Sequence, residues 1–111
     1  MIYCAKSETL KSVLNTKVLE ILSFVAKLNT FDHGTSPIAE KIHLERYRKD
    51  LGSGAFYDGY WSSSGLRCGL GTQIDADAVY YIGYWLNDYK HGRGRLVNAD
   101  ETIYEGNFKG D

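Results

Sequence analysis

The side chains able to do acid–base, nucleophilic or metal chemistry are few and poorly grouped in this sequence. His33, His43 and His91 stand far apart, and none has Cys, Asp or Glu arranged with it at metal-ligand spacing. Cys4 and Cys68 have no paired spacing, so a reduced intracellular chain is a plainer expectation than a disulfide-bonded one. The stretch "HGRG" at 91–94 has the glycines of a phosphate loop. It lacks the following Lys-Ser/Thr, and no helix pattern opens after it. No Ser/His/Asp or Cys/His set and no supported carboxylate pair is present. The expectation is no catalytic residue, no metal site and no cofactor.

Charge is equally unspecific. A net charge of −1 provides no bulk attraction to nucleic acid or acidic membrane. Residues 1–50 carry eight Lys/Arg against six Asp/Glu, and residues 51–111 carry five against eight, imbalances too small to select a partner. Arg46, Arg48 and Lys49 form a small basic cluster that reads as a solvated face. Tyrosines can stack on bases, but here they fall mostly in the acidic half, so no nucleic-acid partner is expected. Glu20 breaks the N-terminal apolar stretch, and no small-residue cleavage site follows, which argues against a signal peptide. "VLEILSFVAKL" is too short and too charged to cross a bilayer. A soluble, cytoplasmic protein is expected.

The chemistry this chain can do is packing. Tyr57, Tyr81 and Tyr104 recur at spacings of 24 and 23; Gly59, Gly83 and Gly106 follow two residues on, and Trp61, Trp85 and Phe108 two more. Behind them Gly69 and Gly71 of "GLG" align with Gly92 and Gly94 of "GRG". From Gly71 to Tyr81 and from Gly94 to Tyr104 the distance is ten residues, and "DADA" at 75–78 matches "NADE" at 98–101. The loop "SSSGLRC" is one residue longer than its counterpart "LNDYKH". This is an internal repeat. Aromatic–x–Gly–x–aromatic has the period of a strand, with the rings and glycine on one face. A mid-strand glycine weakens a strand unless something uses the space it leaves. The expected user is an aromatic ring of the neighbouring repeat, and the Gly-x-Gly strand likewise lets a ring lie close to the backbone. Each unit is then strand, turn, strand, turn. One hairpin is marginal alone, whereas stacked units cover one another.

Composition changes near residue 51, where glycine and tyrosine become frequent. The division read from it is a helical N-terminal extension, 1–50, and a repeat-built β region, 51–111. A helix is predicted from Ser7 to about Leu28, with Ser7 as cap and Glu8 at the positive end of the dipole. Leu10, Leu14, Val18, Ile21, Val25 and Leu28 form one stripe, widened by Leu19 and Leu22. Such a stripe must be buried, either on this chain or on another protein. Leu10, Leu14, Val18, Ile21 and Val25 are therefore candidate partner contacts. "NTFDHGTSP" at 29–37 reads as a linker. A second helix can open at Ser36 with Pro37 in its first position and run through "IAEKIHLERYRKD". The alternation in "IHLERYR" equally admits a strand.

"YDGYW…GLG", "YIGYW…KHGRG" and "YEGNF" resemble the MORN repeat over residues 52–111. Its pattern runs Y-x-G-x-W/F, a polar turn, H-G-x-G, then a strand and turn before the next tyrosine. Cys68 stands where His91 stands in the next unit, and the first unit carries the extra loop residue. "GSGAFYDG" at 52–59 looks like the tail of a still earlier unit, with nothing before Leu51 completing it, and residues 1–50 do not resemble the family. The resemblance implies that His91 is a packing residue of its turn. "YEGNFKGD" opens a third unit and lacks its Gly-x-Gly strand, so an open edge with Tyr104 and Phe108 exposed is expected, either continued in a longer protein or docked on a partner. Tyr60, Ile82 and Tyr84, on the opposite strand face, are further candidate partner contacts. The fold expected is α+β: one N-terminal helix, or two, then an elongated antiparallel sheet of about two and a half stacked hairpin repeats. The family includes ciliary radial-spoke, protist cytoskeletal and membrane-junction proteins. It implies a non-enzymatic scaffold module whose partners are other proteins of a larger assembly, held through the N-terminal helix and the open C-terminal edge, in the cytoskeleton or cilium. The alternative is a phospholipid- or membrane-contacting module, for which little basic charge is available. A third reading, an accessory segment of a lipid kinase or methyltransferase, has no catalytic domain beside it in this sequence.

Overall fold

The computed structural model describes residues 15–37 and 43–110. One helix, α1 (Thr16–Val25), precedes six strands: β1 (Leu44–Gly52), β2 (Ala55–Ser62), β3 (Arg67–Ile74), β4 (Tyr80–Leu86), β5 (Tyr89–Val97) and β6 (Ile103–Lys109). The strands form a single antiparallel sheet in the order β1-β2-β3-β4-β5-β6, so every strand pairs with its neighbour in sequence. This is the α+β arrangement expected, with the hairpins in series.

The turns explain the meander. Between β4 and β5, Asn87 and Asp88 both have positive φ (48° and 71°), the geometry of a tight two-residue hairpin turn. Between β3 and β4, the Asp75 carboxylate accepts the backbone N–H groups of Asp77 and Val79 at 2.9 and 3.0 Å. Between β5 and β6, the Asp100 carboxylate accepts the N–H of Thr102 at 3.1 Å. The acids stand at different positions of "DADA" and "NADE", and what recurs is the backbone turn: Ala78 and Glu101, both at positive φ, donate to the carbonyls of Asp75 and Asn98 at 3.0 and 2.9 Å.

The helix starts later than the apolar pattern suggested. Asn15 has extended backbone (φ −81°, ψ 108°), and its side chain accepts the Val18 N–H at 3.4 Å. Asn15 is thus the cap, and an unbroken helix from Ser7 does not form; Ser7, Glu8, Leu10 and Leu14 lie outside the described residues. The Asn15 amide also donates to the carbonyls of Ser53 (3.0 Å) and Ala76 (2.9 Å), which pins the head of α1 to two hairpin turns. At the other end, bonds from Lys27 to Phe24 and Leu28 to Val25 tighten the last turn. Val18 and Ile21 are 1% and 2% exposed, packed with Ile74, Ala78, Tyr80 and Val97; Leu22, Phe24, Val25 and Leu28 lie around them. Burying two such side chains contributes roughly 3–6 kcal/mol. The described part of the stripe, from Val18 to Leu28, packs on its own sheet, with Leu19 left exposed.

The second helix is corrected. Leu44–Gly52 is β1, paired with β2 from Leu44 opposite Ser62 to Gly52 opposite Ala55. Cross-strand pairing outweighs the modest helix propensity of "LERYRKD". Residues 38–42, part of that predicted helix, are outside the described set. The sheet therefore begins at Leu44, ahead of the compositional change at residue 51.

Candidate functional site

A row of small residues crosses the sheet. Tyr47 lies opposite Gly59, Gly59 opposite Gly71, Gly71 opposite Gly83, Gly83 opposite Gly94, and Gly94 opposite Gly106. A methyl group on Gly83 would stand 2.5 Å from the Gly94 Cα, 2.6 Å from the Arg93 carbonyl oxygen and 2.6 Å from the Tyr81 hydroxyl. Glycine at this place permits a close approach of two backbones and a phenol. Over Gly71 lies the ring of Tyr57, and over Gly94 the ring of Tyr81. The expectation that a ring from the neighbouring repeat fills Gly59 and Gly83 is corrected here. Those positions are closed by the facing backbone and by the hydroxyl of the tyrosine two residues earlier on the same strand.

The tyrosine hydroxyls turn back onto their own strands. Tyr57 donates to the Tyr60 carbonyl at 2.8 Å, Tyr81 to Tyr84 at 2.9 Å and Tyr104 to Asn107 at 3.3 Å. The indole N–H groups reach across instead: Trp61 donates to the Tyr47 carbonyl (3.0 Å) and Trp85 to that of Gly71 (3.2 Å). The rings form one edge-to-face chain. Centroids are 4.8 Å apart for Tyr57–Trp61, 5.5 Å for Tyr57–Trp85, 5.1 Å for Tyr81–Trp85, 5.0 Å for Tyr81–Phe108 and 5.2 Å for Tyr104–Phe108. Trp85 touches the tyrosine of its own unit and that of the unit before, so it joins the two. Burial pushes the phenols of Tyr57 and Tyr81 well above the ordinary tyrosine range.

Strand β1 completes the earliest unit. It pairs with β2 as β3 pairs with β4, and the Tyr47 carbonyl accepts the Trp61 indole as the Gly71 carbonyl accepts that of Trp85. Tyr47 occupies the place of Gly71. Its ring stacks flat on Trp61, 4.8 Å away and 7° from parallel, and closes the aromatic chain at this end. The reading that nothing before Leu51 completes "GSGAFYDG" is thereby overturned. The unit was hidden because an aromatic stands where the repeat pattern requires glycine. The spacing held the signal, since Tyr47 precedes Gly71 by the same interval as Trp61 precedes Trp85.

Arg67 links adjacent units. Its guanidinium lies 4.3 Å from the Trp85 ring centroid. It donates from Nε to the Asp88 carboxylate (3.0 Å) and from Nη2 to the Asp88 carbonyl (3.0 Å), and its backbone N–H donates to the same carboxylate (2.7 Å). Partial burial raises the Asp88 carboxyl, but the bonds and charge of Arg67, with the charge of Lys49, bring it below the usual carboxylate range. Lys90 aligns with Arg67 one unit on, but it lies 5.5 Å from the Tyr81 and Trp85 rings of its own unit. Cys68 is buried, and burial pushes its thiol up, the state of an unreactive cysteine. His91 is half-buried in β5, and Gly69 and Gly92 both have positive φ beside Tyr60 and Tyr84.

The other face is covered by "NTFDHGTSP", which is a strap across the sheet. The Tyr84 hydroxyl donates to the Gly34 carbonyl (3.1 Å) and meets His33 Nδ1 at 2.8 Å. Arg93 donates to the Asp32 carbonyl and Arg95 to that of Asn29, both at 2.8 Å, and both guanidiniums flank the buried Phe31 ring. Of the candidate partner contacts, Tyr84 is buried under the strap, Ile82 packs against the α1 cluster, and Tyr60 is half-buried. Val18 and Ile21 are taken up by the sheet. The exposed large apolar side chains are Tyr47 and Leu51 on β1 and Ile103 and Tyr104 on β6, the two edge strands, together with Tyr89 at the start of β5 and Leu19 on α1.

The MORN-repeat family model matches residues 57–77 and 81–103, two successive units of the sheet just described. These two matches support a MORN-repeat segment within the chain, and the MORN repeat is a non-catalytic repeat. Compared with curated proteins, the chain has no match. Among the described residues, no group of His, Cys, Asp and Glu could hold a metal ion, and no helix is long and apolar enough to cross a membrane.

Proposed function

We propose that this chain is a non-enzymatic interaction module, a MORN-repeat scaffold subunit of a larger protein assembly, with a cytoskeletal or ciliary setting. One observation carries the reading. The aromatic chain runs without a break from Tyr47 to Tyr104, and apolar side chains at both ends of it are exposed: Tyr47 46%, Leu51 47%, Ile103 45% and Tyr104 51%. Interlocked rings make a stiff strip, and its solvent-facing ends suit protein contacts in which tyrosines act as anchors. The opposite face is occupied by α1 and the strap, so partners would meet the strip at its edges.

The test is extraction of the tagged protein from its native cell with mild detergent, followed by immunoblotting of each fraction. Retention in the insoluble cytoskeletal or axonemal fraction, lost in an Ile103→Ser/Tyr104→Ala double variant, supports the scaffold role, and crosslinking then identifies the neighbours. Release with membrane lipids would favour phospholipid contact instead. Release as a small soluble species would overturn both readings.

A further inference from the structure

β6 is a tyrosine strand without its glycine strand. β2 and β4, which carry Tyr57 and Tyr81, each lie between two strands, whereas among the described residues β6 pairs only with β5. Tyr57 and Tyr81 are buried, and Tyr104 is 51% exposed. Its ring is nevertheless set as theirs are. The three hydroxyls turn back to the carbonyl three residues on, at 2.8, 2.9 and 3.3 Å. The three rings meet the aromatic of their own strand edge to face, at 4.8, 5.1 and 5.2 Å.

What such a ring covers is present twice in the molecule. Gly71 lies opposite Gly59 and Gly94 opposite Gly83, and a methyl group on Gly71 or Gly94 would overlap the ring of Tyr57 or Tyr81. Two residues earlier, Gly69 and Gly92 have φ of 95° and 77°, a conformation that favours glycine, and both strands shift register there. Two residues earlier again stand Arg67 and Lys90, opposite Trp61 and Trp85. Both glycine strands thus read (Lys/Arg)-x-Gly-x-Gly. Lys90 lies 5.5 Å from the rings of Tyr81 and Trp85, a pair that Tyr104 and Phe108 repeat on β6.

The same geometry excludes other occupants. Residues 1–14, 38–42 and 111 contain no glycine to place under the Tyr104 ring. β1 of a second copy is a strand of the matching type, but it presents Tyr47 where the glycine must lie. Glu45, Arg46, Arg48, Lys49 and Asp50 also charge that edge, which blunts it. β6 against β6 of a second copy would set Gly106 opposite Gly106 and bring two Tyr104 hydroxyls to one place, because each phenol of this type reaches over both glycines of its pair. We propose that the free edge of β6 takes up an antiparallel strand of another protein carrying (Lys/Arg)-x-Gly-x-Gly, with its second glycine opposite Gly106 under the Tyr104 ring and its cation beside Phe108. This inference rests on the scaffold reading and names the partner chemistry for one of its edges.

The test titrates the full chain with a synthetic nonapeptide of the β5 sequence, YKHGRGRLV, reading heat and amide hydrogen exchange. Saturation at one peptide per chain, with new protection on β6 alone, is the expected result. A peptide with alanine for its second glycine should bind about tenfold more weakly, the scale of one overpacked methyl group. Methionine for its lysine should weaken binding by about threefold, the scale of an exposed cation–π contact. Tyr104→Ala, at an exposed position where folding is checked by the melting temperature, should bind the glycine and alanine peptides alike, since the ring that tells them apart is gone. The proposal is overturned if the parent binds neither peptide, if it binds both equally, or if protection appears on β1 instead. It is also overturned if β6 is protected in a dimer of the chain without peptide, since a second copy would then be the occupant. Retention in the insoluble cell fraction without peptide binding would overturn this partner alone. Peptide binding by a chain that is released as a small soluble species would support it and overturn the scaffold reading.

Discussion

Replacing Gly83 with alanine adds one methyl group where two strands and a phenol converge. Built on the existing backbone, it would lie 2.5 Å from the Gly94 Cα and 2.6 Å from both the Arg93 carbonyl oxygen and the Tyr81 hydroxyl. Two of these neighbours are backbone atoms of a paired central strand and cannot swing away. Alanine is favoured over glycine in a strand interior by roughly 0.5–1 kcal/mol. Against that, overpacking costs about 1–3 kcal/mol. Displacing the Tyr81 hydroxyl also strands the bond it makes to the Tyr84 carbonyl, another 1–3 kcal/mol or so for a buried polar group. The net loss is about 3 kcal/mol, which for a chain of this size lowers the melting temperature by roughly 10–25 °C. Gly106→Ala is the internal control. It occupies the same place in the repeat, but its three nearest atoms all belong to the Tyr104 side chain, the first at 2.8 Å, and that residue is 51% exposed, so it can shift at the cost of only a long, exposed bond to the Asn107 carbonyl. Its loss should stay below about 1 kcal/mol. Urea unfolding of both variants, with unchanged slope, measures the difference. If Gly83→Ala is as mild as Gly106→Ala, the close-packed glycine row is not what holds the strands in register.

Trp85→Ala removes the ring that joins two units and should lose about 3–5 kcal/mol, enough to unfold much of the sheet; an unchanged melting temperature would refute the role given to the aromatic chain. The Asp88 carboxyl is held below its unfolded value of about 3.9, so its contribution is complete above that pH and is lost as pH falls through the folded value. Asp88→Asn should therefore be less stable than the parent near neutrality and converge with it in acid, as followed by urea midpoints across pH. The Tyr57 and Tyr81 phenols behave in the opposite sense. Their folded-state values are raised, so stability is intact below the unfolded value of about 10 and declines as pH rises beyond it. Tyr81→Phe should reduce the alkaline slope of the urea midpoint, and an unchanged slope would mean the phenol ionises without unfolding.

The repeat strands were legible because their physics is local. A ring every second residue around a glycine is a strand face, and the turn acids at 75–78 and 98–101 close hairpins by bonds within a few residues. Strand β1 was left open between helix and strand, and its part in the repeat was hidden for an equally specific reason. Tyr47 stacks on Trp61 instead of leaving room for another ring, so it breaks the pattern while completing the packing. The strap was missed because "NTFDHGTSP" has linker composition, and only Tyr84, Arg93 and Arg95, distant in sequence, give its carbonyls partners. The candidate partner face through Ile82 and Tyr84 had correct strand geometry. What covers that face is contributed by a segment some fifty residues earlier, as the bond between Gly34 and Tyr84 records.

By itself, the sequence determined the units: their length, their turns, the ring-bearing face of each strand, and the absence of any recognisable catalytic motif. These follow from alternation and short-range bonding, which are written in consecutive residues. Only the tertiary structure decided which surfaces remain free. Whether the apolar stripe of α1 meets a partner or its own sheet depends on where Asn15 anchors it, and whether Tyr84 faces solvent depends on the path of the strap. Burial belongs to pairs of segments brought together in space, and no single segment carries both halves of that information.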